Sequence, residues 1–320
     1  MDRNMLINRN TAIAAVALSM TGGVVCGQDF PSRSIRIITS LPGGGSDFTA
    51  RLIAQGIAGP MSQPVIVENR PSNLTAEVAM KALPDGYTLL VDGNSFWIWP
   101  LIQKQRYEVL RDFAPVSMVL KAPSVIVVHP SVPANTIGEL VALAKAKPGQ
   151  LNYGSSVGST THLAMEMLKS MAGINLLHVP YKGAGPTVNA VIAGEVQVVS
   201  ATASSVTQFI KAGKLRALAV TSAQPTPLLP GLPTVAASGL SGYEMLTTTG
   251  LFASGKPPAS TIKRLNREIV RAVNAPDLKE KFFNAGVEVV GTTPEEFAAS
   301  IKSDTVKMGK IIKDAGIKAD

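Results

Sequence analysis

The sequence is poor in the residues most chemistry is built from. Its one cysteine, Cys26, stands in a leader-like stretch, so a chain processed after it has none. Disulfides, thiol nucleophiles and Cys-ligated zinc are then excluded together. The three histidines, His129, His162 and His178, form no H-E-x-x-H pattern and no i, i+3 or i, i+4 pair. That leaves no adequate zinc ligand set, and no metal is expected. Aromatic residues are only 5%, and the Lys and Arg behind the +8 net charge are scattered rather than blocked. A basic face interleaved with stacking rings is absent, which excludes the nucleic-acid-binding classes. No apolar run after the leader approaches the ~18 uncharged residues of a membrane span.

What is present begins with a processing signal. Arg3 and Arg9 precede an uncharged Ala/Val/Leu/Met run over residues 11–25, and small residues lead to Asp29-Phe30-Pro31. This reads as a cleaved secretory signal peptide over residues 1–27 and predicts a periplasmic product. Acylation at Cys26 is the lesser alternative, because Val25 is bulky for that processing. The 320 residues and 46% apolar content support about two domains with real cores.

Strand and helix signals alternate. Residues 34–40 (SIRIITS), 65–68 (VIVE), 87–91 (YTLLV), 125–128 (VIVV), 176–179, 196–200 and 215–221 read as strands. Helices are predicted over 47–57, 76–83, 136–147, 160–171 and from Thr293 to about residue 314. Two of them open on the capping boxes Thr136-x-x-Glu139 and Thr293-Pro294-Glu295-Glu296. The fold class expected is α/β with mainly parallel sheets flanked by helices. No Asp occurs between Asp112 and Asp277, and residues 124–250 hold seven Lys/Arg against four Glu. This acid-poor segment is a candidate second lobe. The expected division is 28–123 plus 251–320 for one lobe and 124–250 for the other.

Two strand–loop–helix junctions carry the candidate chemistry. The first is Leu41-Pro42-Gly43-Gly44-Gly45-Ser46-Asp47. Glycines let backbone N–H groups approach a ligand, and a helix N-terminus favours an anion. The Rossmann pattern fails at Phe48, and no P-loop Gly-Lys-Ser/Thr occurs. A tight turn with Ser46 or Asp47 as a cap explains the same residues equally well. The second junction is Gly154-Ser155-Ser156-Val157-Gly158-Ser159-Thr160-Thr161-His162, where hydroxyls and first-turn amides could together hold a carboxylate. It also satisfies G-x-S-x-G with Ser156 as nucleophile, the alternative hydrolase reading. Only Glu166 and then His178 follow in triad order, too near Ser156 for the usual partner strands. His129 and His178 at strand ends, and His162 in a first helical turn, are expected to be structural. Phe96, Trp97 and Trp99 read as core or as cleft wall.

These stretches together resemble the receptor proteins of tripartite tricarboxylate transporters, the TctC-type or Bug family. The resemblance runs through Gly43-Gly44-Gly45-Ser46-Asp47-Phe48-Thr49-Ala50-Arg51, Val65-Ile66-Val67-Glu68-Asn69-Arg70 and Pro84-Asp85-Gly86-Tyr87-Thr88-Leu89-Leu90. It continues in Ser159-Thr160-Thr161-His162-Leu163, His178-Val179-Pro180-Tyr181-Lys182-Gly183, Ala212-Gly213-Lys214-Leu215-Arg216-Ala217-Leu218-Ala219 and Gly291-Thr292-Thr293-Pro294-Glu295-Glu296-Phe297. It covers essentially the whole chain.

The resemblance implies a two-lobed periplasmic binding protein, a Venus flytrap with hinge strands, and not an enzyme. It implies a ligand that is a mono-, di- or tricarboxylate, inner-membrane transporter subunits as partners, no cofactor and a monomer. It carries ligand contacts onto Ser155, Ser156, Gly158, Ser159, Thr160 and Thr161 in one lobe. In the other it carries them onto Pro42, Gly43, Gly44, Gly45, Ser46 and Asp47. Specificity is implied for residues 93–97, chiefly Ser95 and Phe96, and for residues 200–204, chiefly Ala201 and Thr202. A related reading is a sensor that delivers its ligand to a signalling membrane protein. Three departures from the family pattern stand out: Ser156-Val157-Gly158 is one residue short, Ser72-Asn73-Leu74 abbreviates a Gly-rich stretch, and Gln197 replaces an Asp.

Overall fold

A computed structural model describes residues 30–318. The signal-peptide reading, with cleavage near Gly27 and the Cys26 alternative, lies outside these residues.

The first lobe starts as an α/β unit. Strands β1 (Ile35–Thr39), β2 (Val65–Asn69) and β3 (Thr88–Gly93) run parallel in the order β2-β1-β3. Helices α1 (Gly45–Met61) and α2 (Ser72–Met80) connect them. The short α3 (Ser95–Ile98) and α4 (Val109–Asp112) lead into β4, a 16-residue strand over Phe113–Val128. In the second lobe come α5 (Ile137–Ala146), β5 (Asn152–Ser155), α6 (Thr160–Ala172) and β6 (Leu177–Pro180). They are followed by α7 (Ala184–Ala193), β7 (Val198–Thr202), α8 (Ala203–Lys211) and β8 (Arg216–Val220). Strand β9 (Leu246–Ser254) returns to the first sheet, and α9 (Ala259–Val273), α10 (Pro276–Asn284), β10 (Glu288–Val289) and α11 (Pro294–Asp314) complete the chain.

The long strand β4 belongs to both sheets. Its residues from Phe113 to Pro123 pair antiparallel with β9, and from Ser124 to Val128 they pair antiparallel with β7 and β8. Strands β5, β6 and β7 are mutually parallel in the order β7-β5-β6. The expectation of mainly parallel sheets therefore describes β2-β1-β3 and β7-β5-β6 alone. The pairs β3–β9, β4–β9, β4–β10, β4–β7 and β4–β8 are antiparallel, so each sheet is mixed.

The crossing is fastened by one buried hydroxyl. Thr221 Oγ1 donates toward Met245 O at 2.6 Å, and it accepts the Ser124 N–H at 2.8 Å. Thr221 is fully buried, so these bonds tie β4, the end of β8 and the entry to β9 into one unit.

Three apolar clusters cover the sheet faces. Ile37, Ile53, Leu89, Leu251 and Ile269 pack α1 and α9 on one face of the first sheet. Val125, Val127, Val191, Val199 and Val206 pack α7 and α8 on the second. The third cluster is continuous between lobes: Leu90, Phe252 and Phe297 join Met308, Leu163 and Leu168, so α11 braces α6. Both predicted caps form. Thr136 Oγ1 accepts the Glu139 N–H, and Thr293 and Glu296 close a reciprocal capping box.

Candidate functional site

In open α/β sheets ligands bind beyond the carboxyl ends of the strands. Here the segments after β1 and β3 face the start of α6 across a cavity of about 670 Å³. Its walls come from both lobes: Gly45, Ser46, Asp92, Asn94 and Phe96 from the first, and Ser159, Thr160 and Thr161 from the second.

The first wall is set by the Gly-rich loop. Gly43 has φ +87°, a left-handed conformation that favours glycine. Its N–H donates to Asp47 Oδ2 at 3.0 Å. Asp47 also takes Arg51 Nε and the Asn69 amide, the latter at 2.7 Å. Burial works to raise the Asp47 pKa, but these hydrogen bonds outweigh it and hold the carboxyl below its ordinary range. Asp47 is buried and fully engaged, so it shapes the loop from behind. Gly45 and Ser46, at the start of α1, reach the cavity; Pro42, Gly43 and Gly44 form the exposed turn before it.

The second wall is the start of α6. Ser159 Oγ accepts the His162 N–H at 3.2 Å, donates to Ser156 O at 2.7 Å and lies 2.9 Å from Thr161 Oγ1. A hydroxyl has one proton and two lone pairs, so Ser159 is fully used in holding its own loop. The amides of Thr160 and Thr161 belong to the first turn, which has no intrahelical acceptors. Thr160 Oγ1 donates to Asn94 Oδ1 at 3.1 Å and spans the cleft. Asn94 is anchored in turn on β9, through Leu246 O and Thr248 O. Gly158, at φ +69°, lies directly against Trp99 and Ile102 of the other lobe.

Beneath this loop lies a buried polar stack. The Gly158 N–H donates to His162 Nδ1 at 3.0 Å. The His162 and His178 rings stack at 4.2 Å, and Tyr153 stacks on His178 at 4.9 Å. Tyr153 donates to Glu166, which also pairs with Lys169 at 2.6 Å. Burial, and then the neighbouring His178, pushes the His162 pKa down to about 4. His162 is therefore a neutral acceptor that holds the loop, in keeping with a structural role.

Of the remaining predicted residues, Ser155, Ser156, Ala201 and Thr202 stand apart from the cavity. Ser155 is buried, 2.8 Å from His178 Nε2. Ser156 Oγ accepts the Gly183 N–H at 2.8 Å, and the histidine that a nucleophile would need is paired with Ser155 instead. Ala201 is packed in the second lobe's core, and Thr202 Oγ1 donates to Ser205 Oγ at 3.1 Å. Gln197 braces Asn152 and Gly194. Ser95 and Phe96 line the cavity. Trp97 is core, its Nε1 donating to Asp304, whereas Trp99 is cleft wall.

Asn94, within the expected segment 93–97, lines the cavity, as do Asp92, Gln105, Tyr107, Thr247 and Thr249, which the sequence reading did not include. The usable signal was Asp92, an acid ending an apolar strand at the sheet's carboxyl edge. Among the described residues no group of three or more His, Cys, Asp or Glu is placed to hold a metal ion. No described helix is long and apolar enough to cross a membrane.

The profile of a family described as "Tripartite tricarboxylate transporter family receptor" matches residues 49–317. The chain belongs to this family. A UPF0065 protein of Pseudomonas sp. strain P51 is 36% identical over 98% of this chain and 96% of its own. The solved structure of the periplasmic binding protein BugD has 28% identity and a TM-score of 0.73, covering 91% of this chain and 100% of its own. A Rhodopseudomonas palustris relative, Rpa4515, solved with adipate, has 29% identity and a TM-score of 0.77, covering 91% and 99%. The α/β binding-protein fold and the receptor family of this chain are thereby shown. BugD is a periplasmic binding protein, and Rpa4515 was solved with a dicarboxylate, adipate.

Proposed function

We propose that this chain is a periplasmic receptor that captures a small organic carboxylate between its lobes. Delivery is to the membrane subunits of a tripartite tricarboxylate-type transporter, and the chain performs no chemistry on its ligand. The observation that carries this reading is the placement of two helix N-termini, α1 and α6, on opposite walls of one interlobe cavity. An anion there meets unpaired amides and the positive ends of two helix dipoles. The lobes are taken as 28–123 with 251–320, and 124–250, joined through β4 and β9.

The side chains and the backbone of the second loop divide the work. Thr160 and Thr161 amides meet the carboxylate, while the Ser159 hydroxyl fixes their direction. Ser159→Ala removes the cap, which costs about 1 kcal/mol, and carboxylate affinity should fall roughly fivefold to tenfold. Thr160→Val keeps the amide and deletes the bond to Asn94, so its loss should appear mainly as faster ligand dissociation. Calorimetric titration and stopped-flow release would check both. Affinity unchanged in both variants removes this loop from the site.

The hydrolase alternative is tested by ester turnover with a Ser156→Ala control. Copurification with a signalling membrane protein would separate sensing from transport.

A further inference from the structure

The cleft carries one formal charge, and it has the wrong sign for a second carboxylate. Among the described residues lining it, Asp92 is the single acid, and no Lys, Arg or His is present. Of the cations nearest in the chain, Arg51 pairs with Asp47 and Arg106 with Glu77, while Lys104, beside the lining residue Gln105, is exposed and does not itself line the cavity.

Asp92 ends β3, with Oδ1 accepting the Gly93 N–H at 2.7 Å and Oδ2 accepting the Thr75 hydroxyl at 3.4 Å. A carboxylate offers about four lone-pair sites, so acceptor capacity remains on the cleft side. Burial pushes its carboxyl up to about 6. The two hydrogen bonds work the other way but do not restore the lost hydration.

The wall beside Asp92 is aromatic. Phe96, Trp99 and Tyr107 line the same cavity, and Phe96 and Tyr107 stack at 4.9 Å. The Tyr107 hydroxyl donates to Phe96 O at 3.0 Å, and burial first, then the charge of Asp92, raise its pKa. Ring faces carry negative potential and attract cations. A lone carboxylate in a cavity that Trp99, Tyr107 and the edge of the buried Phe96 also line favours a cationic nitrogen over a second anion.

We propose that the solute of this cleft is a carboxylate that also bears a cationic nitrogen, an amino acid or a quaternary-ammonium carboxylate. Its carboxylate sits at the start of α6, and its nitrogen sits between Asp92 and the Phe96–Trp99–Tyr107 wall. This rests on the receptor reading above and goes beyond it by naming the group at the other end of the ligand.

The test is calorimetric titration of the chain expressed without residues 1–27. The probes are matched sets of four to six carbons: the amino acid, its trimethylammonium counterpart, the parent monoacid and the diacid. The expected result is that a nitrogen-bearing member binds at least about tenfold tighter than its monoacid and diacid, the size of one charge-assisted contact. Asp92→Asn, which keeps the shape and an acceptor for the Gly93 N–H, should erase that preference and improve diacid binding. Asp92→Glu should retain it in part. Diacids or monoacids that bind as tightly as their amino counterparts overturn the inference and leave the receptor reading standing. So does a preference that survives Asp92→Asn. Failure of every carboxylate, with or without nitrogen, in a folded protein overturns both.

Discussion

Gly158→Ala should weaken carboxylate binding by about two orders of magnitude without unfolding the protein. A Cβ at this position would stand 2.6 Å from the Trp99 ring and 2.8 Å from Ile102 Cδ1. Both are first-lobe residues, whereas Gly158 belongs to the second. The φ of +69° adds about 1–2 kcal/mol for any L-residue. That part destabilises the loop itself. The clash acts differently: it holds the lobes apart and moves the α6 amides away from the opposite wall. A displacement of ~1 Å is enough to spoil convergent hydrogen bonds.

The two causes can be separated. Trp99→Ala removes the shorter of the two contacts and leaves the Ile102 contact and the backbone strain. The double variant Gly158→Ala/Trp99→Ala should therefore recover part of the affinity lost in Gly158→Ala, giving a clear coupling in the double-mutant cycle. Additive losses would mean that the lobe contact is irrelevant to binding.

The second large effect is on stability at mild acid. His162 has a folded pKa of about 4 against 6.5 for the free side chain. Between those values the unfolded chain binds a proton that the folded chain refuses. Stability from this group is full above pH 6.5 and declines as pH falls toward 4, by about 1.4 kcal/mol per unit. The lowered pKa of His178 acts in the same direction.

Asp92 acts oppositely. Its folded pKa, raised to about 6 from 3.8, makes the folded chain bind the extra proton in the overlapping window. That relieves the fold as pH falls. The two contributions partly cancel in the wild type, so the measurement must be a difference between variants. His162→Gln keeps an acceptor for the Gly158 N–H and removes the titration. Its stability relative to wild type should rise by about 2–3 kcal/mol between pH 7 and pH 4. Asp92→Asn should be more stable than wild type at pH 8 by about 1–3 kcal/mol, with the gain vanishing near pH 4. Denaturant midpoints at several pH values would show both. Parallel curves for His162→Gln and wild type would mean that the ring is not held neutral by the fold.

The frame of the protein was written locally and could be read locally. The alternation in SIRIITS, the Thr136 and Thr293 caps and the Gly-rich turn before α1 each depend on neighbours a few residues away. Strand β4 was legible only at residues 125–128, because Pro115, Lys121 and Pro123 interrupt the earlier half. In the fold those residues pair with β9 through two register shifts; Pro115 falls at the first of them, and Pro123 falls where the chain passes from one sheet to the other. The helix α9, not among the expected elements, carries an apolar stripe at Leu265, Ile269 and Ala272 under a heavily charged surface.

The cavity is a harder case. Gly45, Ser46, Ser159, Thr160 and Thr161 announce themselves as strand–loop–helix junctions. Asp92 does not, and Asn94 was legible only as part of the segment 93–97, since its role arises from partners far along the chain: Thr160, 66 residues away, and Leu246, 152 away. Ser155 and Ser156 look like ligand donors in the sequence. Both hydroxyls are instead engaged within the second lobe, by His178 and the Gly183 amide. Side-chain type marks what a residue can do, and only tertiary pairing decides which partner it meets.

The most direct test of the central claim is a thermal-unfolding panel on the chain without residues 1–27. It would set mono-, di- and tricarboxylates and amino acids against their neutral amide analogues. A ligand at 100 times its Kd stabilises a protein by about 2.7 kcal/mol, which is roughly a 5–10 °C rise in Tm for a domain of this size. The account predicts such a rise for at least one carboxylate, its loss when that carboxylate is amidated, and its reduction in Ser159→Ala and Gly158→Ala. A folded protein whose Tm responds equally to acid and amide, or whose response survives both substitutions, would contradict a carboxylate receptor closing on the start of α6.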